Sequence, residues 1–242
     1  MAYRFNFVLG SFIALVFSSV APLLQYLLFT QTKGFPGWNL NQIILFQGVL
    51  LFALGVRTMV FGELHQYVSR LVRRGDLDRL LLKPFPSIGI ILASGFSFNS
   101  IGSILAGAVI IGYSAINMNL HIGLTQLGLF LIFILIGLVL FMALEVLYSC
   151  MVILFVMLGR LDDILNFFAR FGEYPLEIFS NSLRLVLVTV IPFAVWVNIP
   201  ANILLGRMNV YMIYSSVFCF LFLFACLKIW GLCLRRYTSA GG

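Results

Sequence analysis

The sequence is poor in charge and in the residue patterns that carry most enzyme chemistry. Charged residues make up 10% of the 242 positions and apolar residues 62%, which excludes an ordinary soluble domain. The chain contains no P-loop pattern, no H-E-x-x-H zinc motif and no G-x-S-x-G nucleophile motif. These absences exclude ATP binding by the P-loop route and give no support to a hydrolase.

Other classes also receive no support from the sequence. The net charge of +7 comes from basic residues at the ends of apolar stretches, where membrane orientation explains them, so no nucleic-acid partner is predicted. No internal repeat points to a secondary transporter. Cys219, Cys226 and Cys233 recur every seven residues with no histidine or carboxylate beside them. Like Cys150, they are predicted to be packing residues rather than metal ligands.

Long apolar stretches dominate what remains. Several exceed eighteen residues with few or no charges, the length that a membrane-spanning helix needs. The sequence therefore predicts an all-α membrane protein with a single transmembrane domain and both termini cytoplasmic. Six spans are predicted, at about residues 7–29, 42–62, 88–112, 122–158, 176–197 and 210–234.

The fourth of these stretches is long enough for one tilted helix or for a hairpin of two spans. With one span and the amino terminus inside, two basic residues outside the spans, Lys33 and Arg207, fall outside the cell. The ten that fall inside are Arg4, Arg70, Arg73, Arg74, Arg79, Lys83, Arg160, Arg170, Arg235 and Arg236. A hairpin would leave six inside, so the positive-inside bias favours a single span. Residues 160–171 after it are predicted to form a short interfacial helix.

The longest polar interruption, residues 63–87, has helical periodicity in its first half. Apolar side chains share one face of that helix, and the face consists of Leu64, Tyr67, Val68, Leu71 and Val72. Gly75 is predicted to end the helix, and Asp76 to cap a second short helix that Pro84 ends. The alternative is a solvated loop whose arginines only orient the protein.

Arg57, Glu145 and Arg184 fall within predicted spans, where charge is costly and therefore a candidate for function. One interpretation is structural: both arginines lie in the inner part of the membrane, and Glu145 pairs with one of them. The other is a substrate or proton path. The structural pair is favoured because proton paths usually contain more than one carboxylate.

The run RGDLDRLLLKP at residues 74–84 resembles a signature of the membrane subunits of type 2 ATP-binding-cassette exporters. It is similar to a bacterial branch that accompanies daunorubicin-resistance-like ATPases. Two other stretches agree in position: GEYPLEIF at 172–179, and IPFA at 191–194 through IPANILLG at 199–206. The resemblance covers about residues 1–236, and its first motif is the most specific.

This resemblance implies a permease subunit in the bacterial inner membrane that is not itself an enzyme and holds no cofactor. ATP and Mg would bind to two partner ATPase subunits, and a second permease subunit, identical or related, would complete the complex. The segment between spans two and three would be the coupling helix. Its coupling residues would be Leu64, Val68, Leu71, Arg73, Arg74, Gly75, Asp76, Asp78 and Arg79.

Two alternatives stay open at this stage. One is a channel or proton-coupled carrier that uses Glu145 and Arg184, and the other is a membrane scaffold without transport. An amphipathic or hydrophobic substrate is compatible with the 25 phenylalanines, but lipid contact explains most of them equally well. The substrate is therefore not predicted.

Overall fold

The computed structural model describes residues 9–10, 13, 16, 20, 23–24, 26–31, 34–155, 167, 170–189 and 192–237. Every regular element within these ranges is helical, in agreement with the predicted all-α class. From residue 40 onward the α-helices are α1 (Leu40–Phe61), α2 (Leu64–Arg74), α3 (Leu77–Leu81), α4 (Ser87–Ala93), α5 (Ile101–Asn117), α6 (Leu124–Phe155), α7 (Asn181–Thr189), α8 (Asn198–Leu204) and α9 (Tyr211–Arg236).

The first two of these helices form one long rod. Gly62 and Glu63 between them keep a right-handed helical backbone, so Leu40–Arg74 is a nearly continuous run of 35 residues. Such a run is ~52 Å long, whereas the hydrocarbon core of a membrane is ~30 Å thick. The run is therefore longer than the membrane core is thick, and α2 extends beyond the end of α1.

The junction of α1 and α2 is tied to the chain that follows α4. The Glu63 amide donates a hydrogen bond to the Gly95 carbonyl (3.1 Å), and the Ser97 amide donates to the Met59 carbonyl (2.8 Å). Because these groups bond across to α1, the helix begun by α4 stops at Ala93 and helical structure resumes with the 3₁₀ turn Phe98–Ser100. The predicted span at 88–112 is therefore not one helix.

Close contact between α1 and α5 depends on small residues. A Cβ added to Gly107 would lie 2.4 Å from the Phe52 amide nitrogen, and one added to Gly55 would lie 3.2 Å from Ser103. Only residues without a larger side chain let two helix backbones approach in this way. Ser103 is fully buried, so Ser103 and Gly107 line the face of α5 that packs against α1.

The long helix α6 runs without interruption over 32 residues, in agreement with the single-span alternative. α9 packs along it. Cys219, Cys226 and Cys233 are all buried, as is Cys150, and the Cys233 thiol donates to the Cys150 carbonyl at 3.5 Å. The cysteines therefore act as packing residues, as predicted.

Between α6 and α9 the described chain is bent instead of straight. It passes through the 3₁₀ turns Arg170–Glu173 and Leu176–Ile178 before α7. The segment Phe193–Leu204 then lies at 77° to α7. Pro192 precedes this second segment. Because proline has no backbone N–H, it cannot donate the hydrogen bond that would continue a helix. The predicted span at 176–197 is thus a set of short, bent elements.

Among the described residues, four helices are long and apolar enough to cross a membrane: Leu40–Arg74, Phe98–Asn117, Leu124–Leu154 and Tyr211–Arg236. Counting the bent pair as one more gives five. Much of the predicted first span, and most of the predicted interfacial helix at 160–171, lies outside the described residues. Six spans and cytoplasmic termini stay predictions.

Candidate functional site

The elbow, which we define as residues 62–87, turns at Gly75 as the sequence predicts. Gly75 has a left-handed backbone with φ of 68°. Its amide donates to the Val72 carbonyl (3.3 Å), and the Asp76 amide donates to the Leu71 carbonyl (3.0 Å). These two bonds form a Schellman motif, which satisfies the last carbonyls of a helix and fixes the direction of the following chain.

The predicted capping role of Asp76 is wrong in one respect. Asp76 precedes α3 but makes no side-chain capping hydrogen bond, because its own backbone is already helical at φ −75° and ψ −6°; capping residues are usually extended. Its carboxylate lies 3.7 Å from the Arg79 guanidinium. Asp78, in the first turn of α3, is half-buried.

The apolar face of α2 is covered by the chain itself. Leu64, Val68 and Leu71 are all buried, and α2 packs against α6 and α4. The sequence placed these residues on one face correctly. Burying such a side chain stabilises a fold by ~1.5–3 kcal/mol, so this face holds the elbow to the bundle and is not open to a partner.

The exposed surface of the elbow combines arginines with two apolar side chains. Arg73, Arg74 and Arg79 are exposed, while Leu82 is 86% and Phe85 68% exposed. The sequence reasoning missed Leu82 and Phe85. A signal was present, because successive helical residues are ~100° apart and three consecutive leucines cannot share one face.

A buried charge cluster, which we call the joint, connects the elbow to α6. The His65 Nε2 atom of α2 lies 2.6 Å from Glu145 Oε2, and the Glu145 side chain is 5% exposed. The His65 and Tyr148 rings stand 4.2 Å apart between centroids. His65 is not among the residues predicted for the apolar face of α2, and the sequence predicted no partner for it.

Arg57 belongs to the same joint. Its guanidinium lies 4.2 Å from the centroid of the Phe141 ring and 5.7 Å from that of Trp196, within the range of a cation–π interaction. The carboxylates of Glu145 and Glu173 act electrostatically on its charge. The sequence predicted Arg57 or Arg184 as the partner of Glu145, and of these two it is Arg57 that lies near Glu145.

Arg184 lies elsewhere, at the end of the bundle where α1 begins, which we call the Trp38 end. Its guanidinium is 3.9 Å from Glu177 Oε1, and Glu177 Oε2 accepts a hydrogen bond from Trp38 Nε1 at 2.8 Å. Trp38 and Arg57 are separated by most of the ~33 Å length of α1. The expectation that Arg184 lies at the depth of Arg57 is wrong, and Glu145 and Arg184 do not form one carrier site.

Metal ligands are not gathered in the part of the chain that the structure describes. No group of three or more histidine, cysteine, aspartate or glutamate side chains there is arranged to hold an ion. What the described residues do provide is an exposed elbow surface whose helix α2 contacts α6 through His65 and Glu145.

A family model described as ABC-2 family transporter protein matches residues 15–241. No curated protein and no solved structure matches the chain.

Proposed function

The chain belongs to the ABC-2 family of transporter proteins, and we propose that it is the permease subunit of an ATP-driven exporter whose ATPase docks on the elbow. Members of this family are membrane subunits without catalytic domains, so ATP is hydrolysed by partner ATPase subunits. The protein is thus a multi-pass membrane component of a transporter. The export direction and the daunorubicin-resistance-like branch are supported by the resemblance of residues 74–84.

One observation carries the proposal: the elbow projects past the end of α1 and presents Leu82 and Phe85 among exposed arginines. Apolar side chains at the centre of a docking surface, surrounded by charge, are typical of protein interfaces. The inner face of the elbow, with Leu64 and Val68 buried, is already occupied. A cytoplasmic ATPase would contact the outer face.

The proposed complex contains two ATPase subunits and a second permease in a bacterial inner membrane. Closure of the ATPase pair would push on both elbows and tilt the two bundles relative to each other. In each chain the joint between His65 and Glu145 would pass this movement to α6. Gly75, held in its left-handed conformation, would keep the angle of the elbow fixed.

Copurification of the ATPase with the full chain tests the proposal. Leu82→Glu removes the burial of one apolar side chain, which is worth ~1.5–3 kcal/mol, and should weaken the complex at least ~10-fold. Arg74→Glu should weaken the complex as well, because it places a negative charge where the arginine would face carboxylates of the ATPase. Leu124→Glu is the matched control, since Leu124 is 87% exposed and begins α6, away from the elbow.

The expected result is loss of ATPase from the two elbow variants, with normal yield of the chain, and normal assembly of the control. If the wild-type chain recovers no P-loop ATPase, or if the elbow variants and the control assemble equally well, the elbow is an orienting loop and the proposal fails.

A further inference from the structure

We propose that the Trp38 end carries a binding site for an anionic amphiphile, in which Arg184 and Arg207 hold the charged headgroup. This inference does not depend on the elbow or on an ATPase. It rests on a cavity, on the charges that line it and on its apolar wall.

The cavity has a volume of about 200 Å³. Arg184 of α7, Arg207 after α8 and Tyr211 of α9 all line it, so three separate elements build it. Pockets for drug-sized ligands are larger, ~300–1,000 Å³. This one has room for a headgroup and the first few methylenes of a chain, with the remainder outside.

The charge of the cavity lining favours an anion. Arg207 donates to the Gly37 carbonyl (3.3 Å) and to Gln42 Oε1 (3.1 Å), and it lies 5.5 Å from the centroid of the Trp38 ring. These contacts are with neutral groups, so the positive charge is not cancelled by them. A phosphate or carboxylate beside a guanidinium forms charge-assisted hydrogen bonds, which are among the strongest in proteins.

Glu177 is the one carboxylate that the described residues contribute to the cavity wall. It already accepts the hydrogen bond of the Trp38 indole and lies 3.9 Å from Arg184. One negative charge therefore faces two positive ones. The charge of the described lining is positive, and a single anionic group would balance it.

The apolar part of the wall distinguishes an amphiphile from a free anion. Val188 and Met212 are buried side chains that line the cavity, and Met208 lines it while more than half exposed. Arginine and tryptophan also mark the zone where lipid headgroups meet the hydrocarbon of a membrane. A ligand with an anionic head and an alkyl tail satisfies both surfaces, whereas inorganic phosphate satisfies only the arginines.

Thermal unfolding of the full-length chain in digitonin micelles tests the site. Decyl phosphate is the probe; inorganic phosphate is the comparison without a tail, and decyl maltoside is the comparison with the same tail and an uncharged head. Decyl phosphate should raise the unfolding temperature in a saturable way. Arg207→Gln and Arg184→Gln should each raise the half-saturating concentration about tenfold, the effect of one charge-assisted hydrogen bond.

Glu177→Gln should change binding in the opposite direction and lower that concentration, because it removes the opposing charge while its amide oxygen can still accept from Trp38. Arg236→Gln, at the far end of α9, is the matched control and should bind as the wild type does. If Arg207→Gln does not fold, Arg184→Gln and Glu177→Gln decide the question by their opposite signs.

Three results would overturn the inference. Equal stabilisation by decyl maltoside would mean that the charge is not recognised. Equal stabilisation by inorganic phosphate at the same concentration would mean that no tail is bound. Unchanged binding in Arg184→Gln and Glu177→Gln would place the ligand elsewhere on the protein.

Discussion

Removing the charge of Glu145 tests whether the joint holds the elbow to α6. The carboxylate is buried and lies 2.6 Å from His65, and it acts on the charge of Arg57. Removing one partner of a buried ion pair costs ~3–5 kcal/mol. Glu173 also acts on Arg57, so we expect Glu145→Gln to cost about 3 kcal/mol, the lower part of that range.

A double-mutant cycle with His65→Gln isolates the contact between the two side chains. Equilibrium unfolding of the purified chain in mixed micelles gives the free energy of unfolding of the wild type, both single variants and the double variant. Because the side chains are in direct contact, we expect a coupling energy of about 1–3 kcal/mol. Glu177→Gln, the same change in a more exposed carboxylate, should cost less than about 1 kcal/mol.

A coupling energy below about 0.5 kcal/mol, the level of independent sites, would refute the joint. Normal stability of Glu145→Gln, together with transport that loses its pH dependence, would instead identify Glu145 as part of a proton path. Normal stability and unchanged transport would reject both readings of this residue.

Three further predictions follow from the elbow, from Glu173 and from the chain termini. Gly75→Val should cost about 1–2 kcal/mol of stability from backbone strain alone, because a Cβ at this position meets no atom within 4 Å. It should also uncouple ATPase activity from transport. Gly89→Ala is the control: this position is equally open but has no positive φ, so neither stability nor coupling should change. Burial raises the pKa of Glu173 above its ordinary 4.5, although Arg170 and Arg57 lower it. The stability contributed by its protonated form is therefore present below about pH 4.5 and is lost as the pH rises through the raised pKa. Unfolding temperatures between about pH 4 and pH 8 should show a smaller loss for Glu173→Gln. A cysteine placed after Arg236 should resist an impermeant label in intact cells, and labelling there would contradict a cytoplasmic carboxyl terminus.

Much of the fold could be predicted because long apolar runs determine membrane helices directly. The helices α1, α6 and α9 lie close to their predicted bounds, and Gly75 ends α2 as its position before Asp76 indicates. The break after α4 could not be predicted, because it depends on Gly95 and Ser97 bonding to the end of a different helix. Hydrophobicity also does not reveal that the chain bends after α7.

The candidate site was predicted less completely, because burial depends on tertiary contacts. Periodicity placed Leu64, Val68 and Leu71 on one face of α2, but whether that face meets a partner or the chain's own α6 is not encoded locally. His65 looked like a solvent-facing residue, since its partner Glu145 lies on another helix. Arg184 was assigned a depth from an assumed straight span that the chain does not form.

The hydrogen-bonded junction of α1 and α2 gives the rod a fulcrum. The arm beyond it, α2, is ~16 Å long, and the arm before it, α1, is ~33 Å long. If the rod pivots as a stiff body at Glu63 and Met59, where it is tied to Gly95 and Ser97, a displacement at Arg74 would be doubled at Leu40. Spin labels at Ser69 and Gln42, ~10 Å and ~31 Å from the junction, should therefore move in a ratio of about one to three, and equal displacements would exclude the pivot. The protein would then work as a lever: a small displacement at the elbow would become a larger one at the opposite end of the bundle, where Trp38 and Arg207 lie.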